Sequence, residues 1–297
     1  MCKMIRLDSY IYENARTTQT NAERKKEIEN WLKNKKYTDY VSTLNKMLDD
    51  PKAKTLLVDG FGGELGKTKF TFKVKNIPAA NLRPTQSEID VDKSLKQFLT
   101  NPENIKKDFA NEIIIANMPL VTFRGNYVID GHHRWSEVAI INPEGKMVCF
   151  DYDADISPVQ MLKAVQGSIA AVMVERDKDE KLPQKIVSGP NLYDKKWDKH
   201  AIEKYVEDNI TDKVKSLCYE YFDGCSTLDD IKEVISENAM DIKYNNYPED
   251  NAPNRGNMPQ TDKAGREQGN KKLAYPTEKG SALNKMKDGK FIKNAIK

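Results

Sequence analysis

Fifteen residues in the middle of the chain, 126-NYVIDGHHRWSEVAI-140, constrain the fold more than any other stretch. Tyr127, Val128 and Ile129 form a short apolar run of strand character, and Asp130-Gly131 then supplies a turn. Trp135, Val138 and Ala139 recur at helical spacing until Asn142-Pro143 stops them. A strand that passes through a two-residue corner into a helix requires a sheet with helices packed on it. Two of the chain's three histidines, His132 and His133, sit at this corner with Arg134 beside them.

The flanking patterns predict the same mixture. Thr55–Val58 and the alternating run Lys69–Lys75 read as strands, as do Ile113–Ile115, Leu120–Phe123 and Met147–Tyr152. Arg124-Gly125-Asn126 predicts a tight hairpin turn. Helices are predicted over Ser87–Leu99, Pro158–Val174, Ala201–Asp208, Lys213–Tyr221 and Thr227–Glu237, the last capped by Ser226 or Thr227. The expected class is α+β, a mixed sheet with packed helices. Its parts are a helical lead-in over 1–54, the main domain over 55–175, a linker over 176–193, a small helical region over 194–244 and a flexible basic tail over 245–297.

The net charge of +3 does not itself point to nucleic acid. The tail from Asn245 carries 11 Lys+Arg against 6 Asp+Glu, which leaves the remainder slightly acidic. Such a tail is either a solvated appendage or a contact for an acidic partner such as DNA. The four cysteines show no metal-ligand spacing, and no disulfide is expected in a chain read as cytoplasmic. No apolar run reaches the roughly 18 residues of a membrane span, so no membrane partner is expected.

The corner has the chemistry of an anion site. The first N–H groups of a helix lack partners within it, and the helix dipole adds positive charge there. Phosphate is a common occupant. Gly131 lets a ligand approach, Arg134 offers a forked donor, and His132 and His133 offer hydrogen bonds or protons. Asp130 either caps the helix or holds Mg2+ against a bound phosphate. Zinc fits less well, because adjacent histidines diverge and no third ligand lies nearby in sequence. The cluster 60-GFGGELGKT-68 has the end of a phosphate loop, but Phe61 stands where its first glycine belongs and a strand follows, so a turn is expected. Asp151, Asp153 and Asp155 read as a solvated strand exit, with metal support as the alternative.

The run V-I-D-G-H-H-R-W, residues 128–135, resembles the nucleotide-binding corner of the ParB/sulfiredoxin superfamily. The stretch 82-LRPTQSEI-89 is similar to the first conserved box of that superfamily, and the order of elements over about 70–175 fits it. The resemblance implies a nucleoside phosphate (ATP, ADP or CTP) with Mg2+, held by Gly131, His132, His133 and Arg134 with Arg83 and Gln86, and with Asp130 on the metal. His132 stands where sulfiredoxins carry their catalytic cysteine, which argues against sulfinic acid reduction. ParB partition proteins hydrolyse CTP and read DNA through a helix-turn-helix domain, and 194–240 shows no clear recognition helix. At D-G-H-H-R the resemblance is greatest to kinases that phosphorylate free serine, in which an acidic residue near the first box is the base. Glu88 is that candidate, beside Asp130 as the second catalytic carboxylate.

The expectation is therefore a ParB-like nucleotide-binding protein that hydrolyses its nucleotide or transfers a phosphoryl group. A nuclease activity has less support. The alternative is a non-enzymatic accessory protein of a phage or plasmid, associated with DNA or with a virion through its tail.

Overall fold

The computed structural model describes Lys26 and residues 71–101, 113–114, 116, 119–162, 189–222, 224–248, 250, 252–253, 267–268 and 271–272. The predicted strand Thr55–Val58, the glycine cluster 60–68, most of the helix expected over Pro158–Val174 and most of the basic tail lie outside the described residues. The chain divides into two compact units. One comprises residues 1–24, 73–151 and 188–248; the other comprises 25–72, 152–187 and 249–297.

The fold is α+β. Six strands form a mixed sheet: β1 (Thr71–Pro78), β2 (Arg83–Pro84), β3 (Ile113–Ile114), β4 (Leu120–Phe123), β5 (Tyr127–Asp130) and β6 (Lys146–Asp153). The order is β1-β6-β4-β5-β2, with β3 paired to β6 off this path. Strand β4 runs antiparallel to β5, whereas β2 lies parallel to β5 with Arg83 opposite Tyr127. Strands β4 and β5 share the expected hairpin, and their inner positions Val121, Thr122, Phe123, Val128 and Ile129 are fully buried.

Between Pro84 and the first helix the chain departs from the sequence reading. Helix was predicted from Ser87, but Asp90 makes an isolated antiparallel bridge with Asn191, and helical backbone begins only after it. Asn191 is the cause. Its Oδ1 accepts the Ile89 N–H at 3.0 Å, and its Nδ2 donates to the Ser87 carbonyl, so both groups are used in an extended segment. A π-helical stretch, Asp92–Lys96, then leads into α1 (Gln97–Thr100).

Helix α2 (His132–Ile141) follows β5 directly. Trp135 is its fully buried centre, and the indole Nε1 donates to the Ala79 carbonyl at 2.9 Å. Three later helices, α3 (Lys199–Asn209), α4 (Asp212–Tyr221) and α5 (Leu228–Asn245), share one core with α1 and α2. Ile202, Val206, Ile231, Ile235, Ala239 and Ile242 join Ile89, Leu95, Phe98 and Trp135 there. Thr227 is the N-cap of α5, in a reciprocal capping box with Asp230. The helix extends past the predicted end at Glu237, because Ala239 and Ile242 continue its buried face.

Two polar groups, one buried and one half-buried, anchor this packing. The Lys243 ammonium donates to the carbonyls of Asp194 and Trp197, each at 2.7 Å. Asn238 Nδ2 donates to the Ile140 carbonyl at 2.7 Å, tying α5 to the end of α2.

In the second unit, residues 158–162 are helical, with Ser157 and Gln160 capping each other reciprocally. Strands β7 (Glu267–Gln268) and β8 (Lys271–Lys272) form a two-residue antiparallel ladder. Among the described residues, no helix is long and apolar enough to cross a membrane.

Cys149 and Cys218 are free and buried.

Candidate functional site

The corner at Asp130-Gly131 is built as the sequence predicts. Gly131 is the N-cap of α2 with φ 95°, a left-handed conformation that favours glycine. Space requires glycine here too. A Cβ on Gly131 would lie 2.6 Å from Arg134 Nη2 and 2.6 Å from Leu120 Cδ2. Asp130 immediately precedes this N-cap, and its Oδ2 accepts from Arg134 Nη2 at 3.2 Å. Arg134 Nη1 donates to the Pro119 carbonyl at 3.2 Å. The guanidinium is therefore folded back across Gly131, between a carboxylate and a carbonyl.

The structure brings the upstream box onto this corner. The pairing of β2 with β5 delivers Thr85 beside His132. The Thr85 N–H donates to His132 Nε2 at 3.2 Å, and the Thr85 hydroxyl donates to the Val128 carbonyl at 2.6 Å. An Nε2 that accepts an N–H carries no proton, so the His132 proton resides on Nδ1. His132 is buried and braces the strand-to-helix junction. Five residues further on, the Asp90 N–H donates to His133 Nε2 at 3.4 Å. The two adjacent histidines thus grip the two ends of the segment 85–90. Below them Ser94 Oγ and Ser136 Oγ lie 2.6 Å apart, linking the π-helical stretch to α2.

Glu88 is half-buried within this segment. Gln86 is buried, and its side-chain amide donates to the Glu88 carbonyl at 2.7 Å, which fixes the backbone on which Glu88 stands. Gly189 lies against the Asp90 carboxylate, and Pro190 and Leu192 continue the backbone pairing along Ile89 and Val91. Beyond Asp90, Tyr205 donates to Asp92 Oδ1 at 2.6 Å; burial and this bond raise the phenol above its ordinary range.

Of the expected residues, Asp130, Gly131, His132, His133 and Arg134 form the corner, Gln86 and Glu88 lie in the segment that crosses it, and Arg83 stands apart. It pairs with Tyr127, the first residue of β5, whereas the corner follows the last, and its guanidinium lies over the Tyr127 ring at 5.8 Å. Thr85, Asp90, Ser94, Ser136 and Asn191 were not singled out from sequence. Thr85 and Asp90 adjoin residues that were, so the box itself was their signal. Asn191 had none.

Asp151 overturns the reading of a solvated strand exit. It is buried, where it accepts from Thr122 Oγ1 at 2.8 Å and the Gly125 N–H at 2.7 Å and pairs with Lys75 at 2.6 Å. A carboxylate so engaged is a structural anchor. Asp153 and Asp155 are exposed. Among the described residues, no group of three or more His, Cys, Asp or Glu side chains is placed to hold a metal ion. Comparison with family models, with curated proteins and with solved structures gave no match to this chain.

Proposed function

We propose that the corner between residues 85–90 and 130–134 binds a nucleoside triphosphate with Mg2+ and that the protein hydrolyses it or transfers its terminal phosphoryl group. A ParB/sulfiredoxin-like form of the α+β fold is part of this proposal. One observation carries it: the two stretches that resemble the superfamily's motifs, more than forty residues apart, meet through the Thr85–His132 hydrogen bond, with the Asp90–His133 bond just past the first stretch.

In this reading the start of α2 supplies the helix dipole to the phosphates, and Arg134 supplies the permanent charge. His132 braces the corner from beneath. Asp130 offers one carboxylate, which suits Mg2+ arriving with the phosphates, since that ion keeps most of its ligands from substrate and water. Bound Mg2+ neutralises phosphate charge. Glu88 is the candidate to take the proton of the attacking hydroxyl. Phosphoryl transfer depends mainly on positioning and charge, so these few groups suffice.

Calorimetry of the full chain with ATP and with CTP, each with and without Mg2+, tests the proposal. Arg134→Ala is expected to weaken binding by roughly tenfold or more, and Glu88→Gln to abolish turnover while preserving affinity. Equal nucleotide affinity in wild type and Arg134→Ala removes the site. Binding without turnover leaves a nucleotide-sensing module.

A further inference from the structure

Glu88 stands on a backbone held more tightly than the core requires. Residues 190–192 run beside 89–91, where the Val91 N–H donates to the Pro190 carbonyl and the Leu192 N–H to the Ile89 carbonyl, each at 2.8 Å. The Ile89 side chain is fully buried, so its own N–H needs a protein partner, which Asn191 Oδ1 supplies at 3.0 Å. Ser87 and Glu88 are only half-buried, and water can serve carbonyls in such a place. Side chains take both carbonyls instead. Asn191 Nδ2 donates to that of Ser87 at 3.4 Å, and Gln86 Nε2 donates to that of Glu88 at 2.7 Å.

These bonds fall on the two peptide groups that bracket one α-carbon. The Ser87 carbonyl belongs to the peptide before Glu88; the Glu88 carbonyl and the Ile89 N–H belong to the peptide after it. Peptide groups are planar, so holding both planes holds φ and ψ of Glu88. Successive side chains of an extended segment point to opposite sides, and the burial of Ile89 therefore turns Glu88 away from the core. The asparagine is itself fixed. Its Oδ1 also accepts the Tyr193 N–H at 3.3 Å, and its backbone bridges to Asp90. Gly189 leaves room for the Asp90 carboxylate, which a Cβ at that position would strike.

We infer that Asn191 is a positioning residue that sets the Glu88 carboxylate for turnover. The inference rests on the reading of Glu88 as the base. In the hydrolytic form of that reaction, water attacks the terminal phosphorus and Glu88 takes one of its protons. The bond from phosphorus to the bridging oxygen breaks, the nucleoside diphosphate and inorganic phosphate leave, and Glu88 returns the proton to solvent. A base must stand within hydrogen-bond reach of the proton it takes, and a displacement of about 1 Å can cost roughly a hundredfold in rate. Asn191 bonds to Ser87, Ile89 and Tyr193, whereas the phosphates are assigned to the start of α2 and to Arg134. Its removal therefore separates rate from affinity.

The test measures phosphate release from ATP and from CTP with Mg2+ by the full chain, beside calorimetric affinity for the same nucleotides. Asn191→Ala is expected to lower kcat by roughly tenfold to a hundredfold while Kd stays within about twofold of wild type. Asn191→Asp keeps the acceptor for the Ile89 N–H but lacks the donor to Ser87. It is the milder variant and is expected to show the same split with a smaller loss, which keeps the comparison available if the alanine variant does not fold. In Asn191→Ala the Ile89 amide is expected to exchange faster with solvent deuterium, while the Thr85 amide, held by His132, keeps its protection. A wild-type kcat in either variant, or a fall in affinity equal to the fall in rate, would overturn the inference. Glu88→Gln tells the two levels apart. Absence of turnover in wild type, or a wild-type rate in Glu88→Gln, removes the base and the positioning role together. Loss of turnover in Glu88→Gln beside a full rate in the Asn191 variants removes the positioning role alone.

Discussion

At the scale of single residues, the polar groups that shape the corner act mainly on backbone. Thr85, Gln86 and Asn191 each direct a side chain or an N–H to hold 85–92 in a path that helix propensity alone would not choose. The sulfur chemistry is correspondingly quiet. Burial raises the Cys149 thiol to about 12, with the Asp151 charge adding to it, and burial alone raises Cys218 to about 12. Neither forms appreciable thiolate near neutral pH. Both are expected to resist iodoacetamide at pH 8 in the folded protein and to react after denaturation, as read by peptide mass spectrometry. Labelling of Cys149 in the native state would mean that β6 opens locally. His132→Ala should cost about 1–3 kcal/mol in chemical denaturation, because it strands the Thr85 N–H in a buried place.

At the scale of elements, caps and corners decide where the helices begin. Gly131→Ala combines an unfavourable φ with overlap against Arg134 and Leu120, and a loss of about 2 kcal/mol or more is expected from urea denaturation. Thr227→Ala should cost about 1 kcal/mol by the same measurement. The capping box also carries a pH signature. Hydrogen bonds from the Ser226 and Thr227 backbone and the Thr227 hydroxyl hold the Asp230 carboxyl below its ordinary value. A folded pKa below the unfolded one stabilises the protein above the unfolded value, and that contribution disappears as pH falls through the folded value. Asp230→Asn should flatten the acid limb of stability below the ordinary carboxylate range. These features were legible because they are local: Asp130-Gly131, Arg124-Gly125-Asn126 and Thr227 announce themselves within a few residues. The extended course of Ser87–Asp90 was illegible, because the group that imposes it is Asn191, 102 positions from Ile89. A hydrogen bond from one amide leaves no periodicity to read. The fold-back of Arg134 onto Asp130 is hidden differently, since an arginine and an aspartate four residues apart can pair with each other or with a ligand, and the sequence does not rank the two.

At the scale of the whole molecule, the sheet and the later helices depend on each other. Trp135, Ile89 and Phe98 share their core with Ile202, Val206, Ile235 and Ile242, so neither portion can bury its apolar surface alone. A chain ending at residue 187 is expected to lose cooperative thermal unfolding by circular dichroism; retention of a sharp transition would show that the sheet portion is self-sufficient. Lys243→Met should soften the same transition by releasing the Asp194 and Trp197 carbonyls, at about 2 kcal/mol. Asn191 gives this interdependence a direction in time. Synthesis delivers the histidine corner first, yet the segment lying on it stays unclamped until residue 191 has emerged and turned back to Ile89 and Ser87. A growing polypeptide therefore carries an unfinished corner through much of its translation, and the segment is fixed late, by the amide of one asparagine.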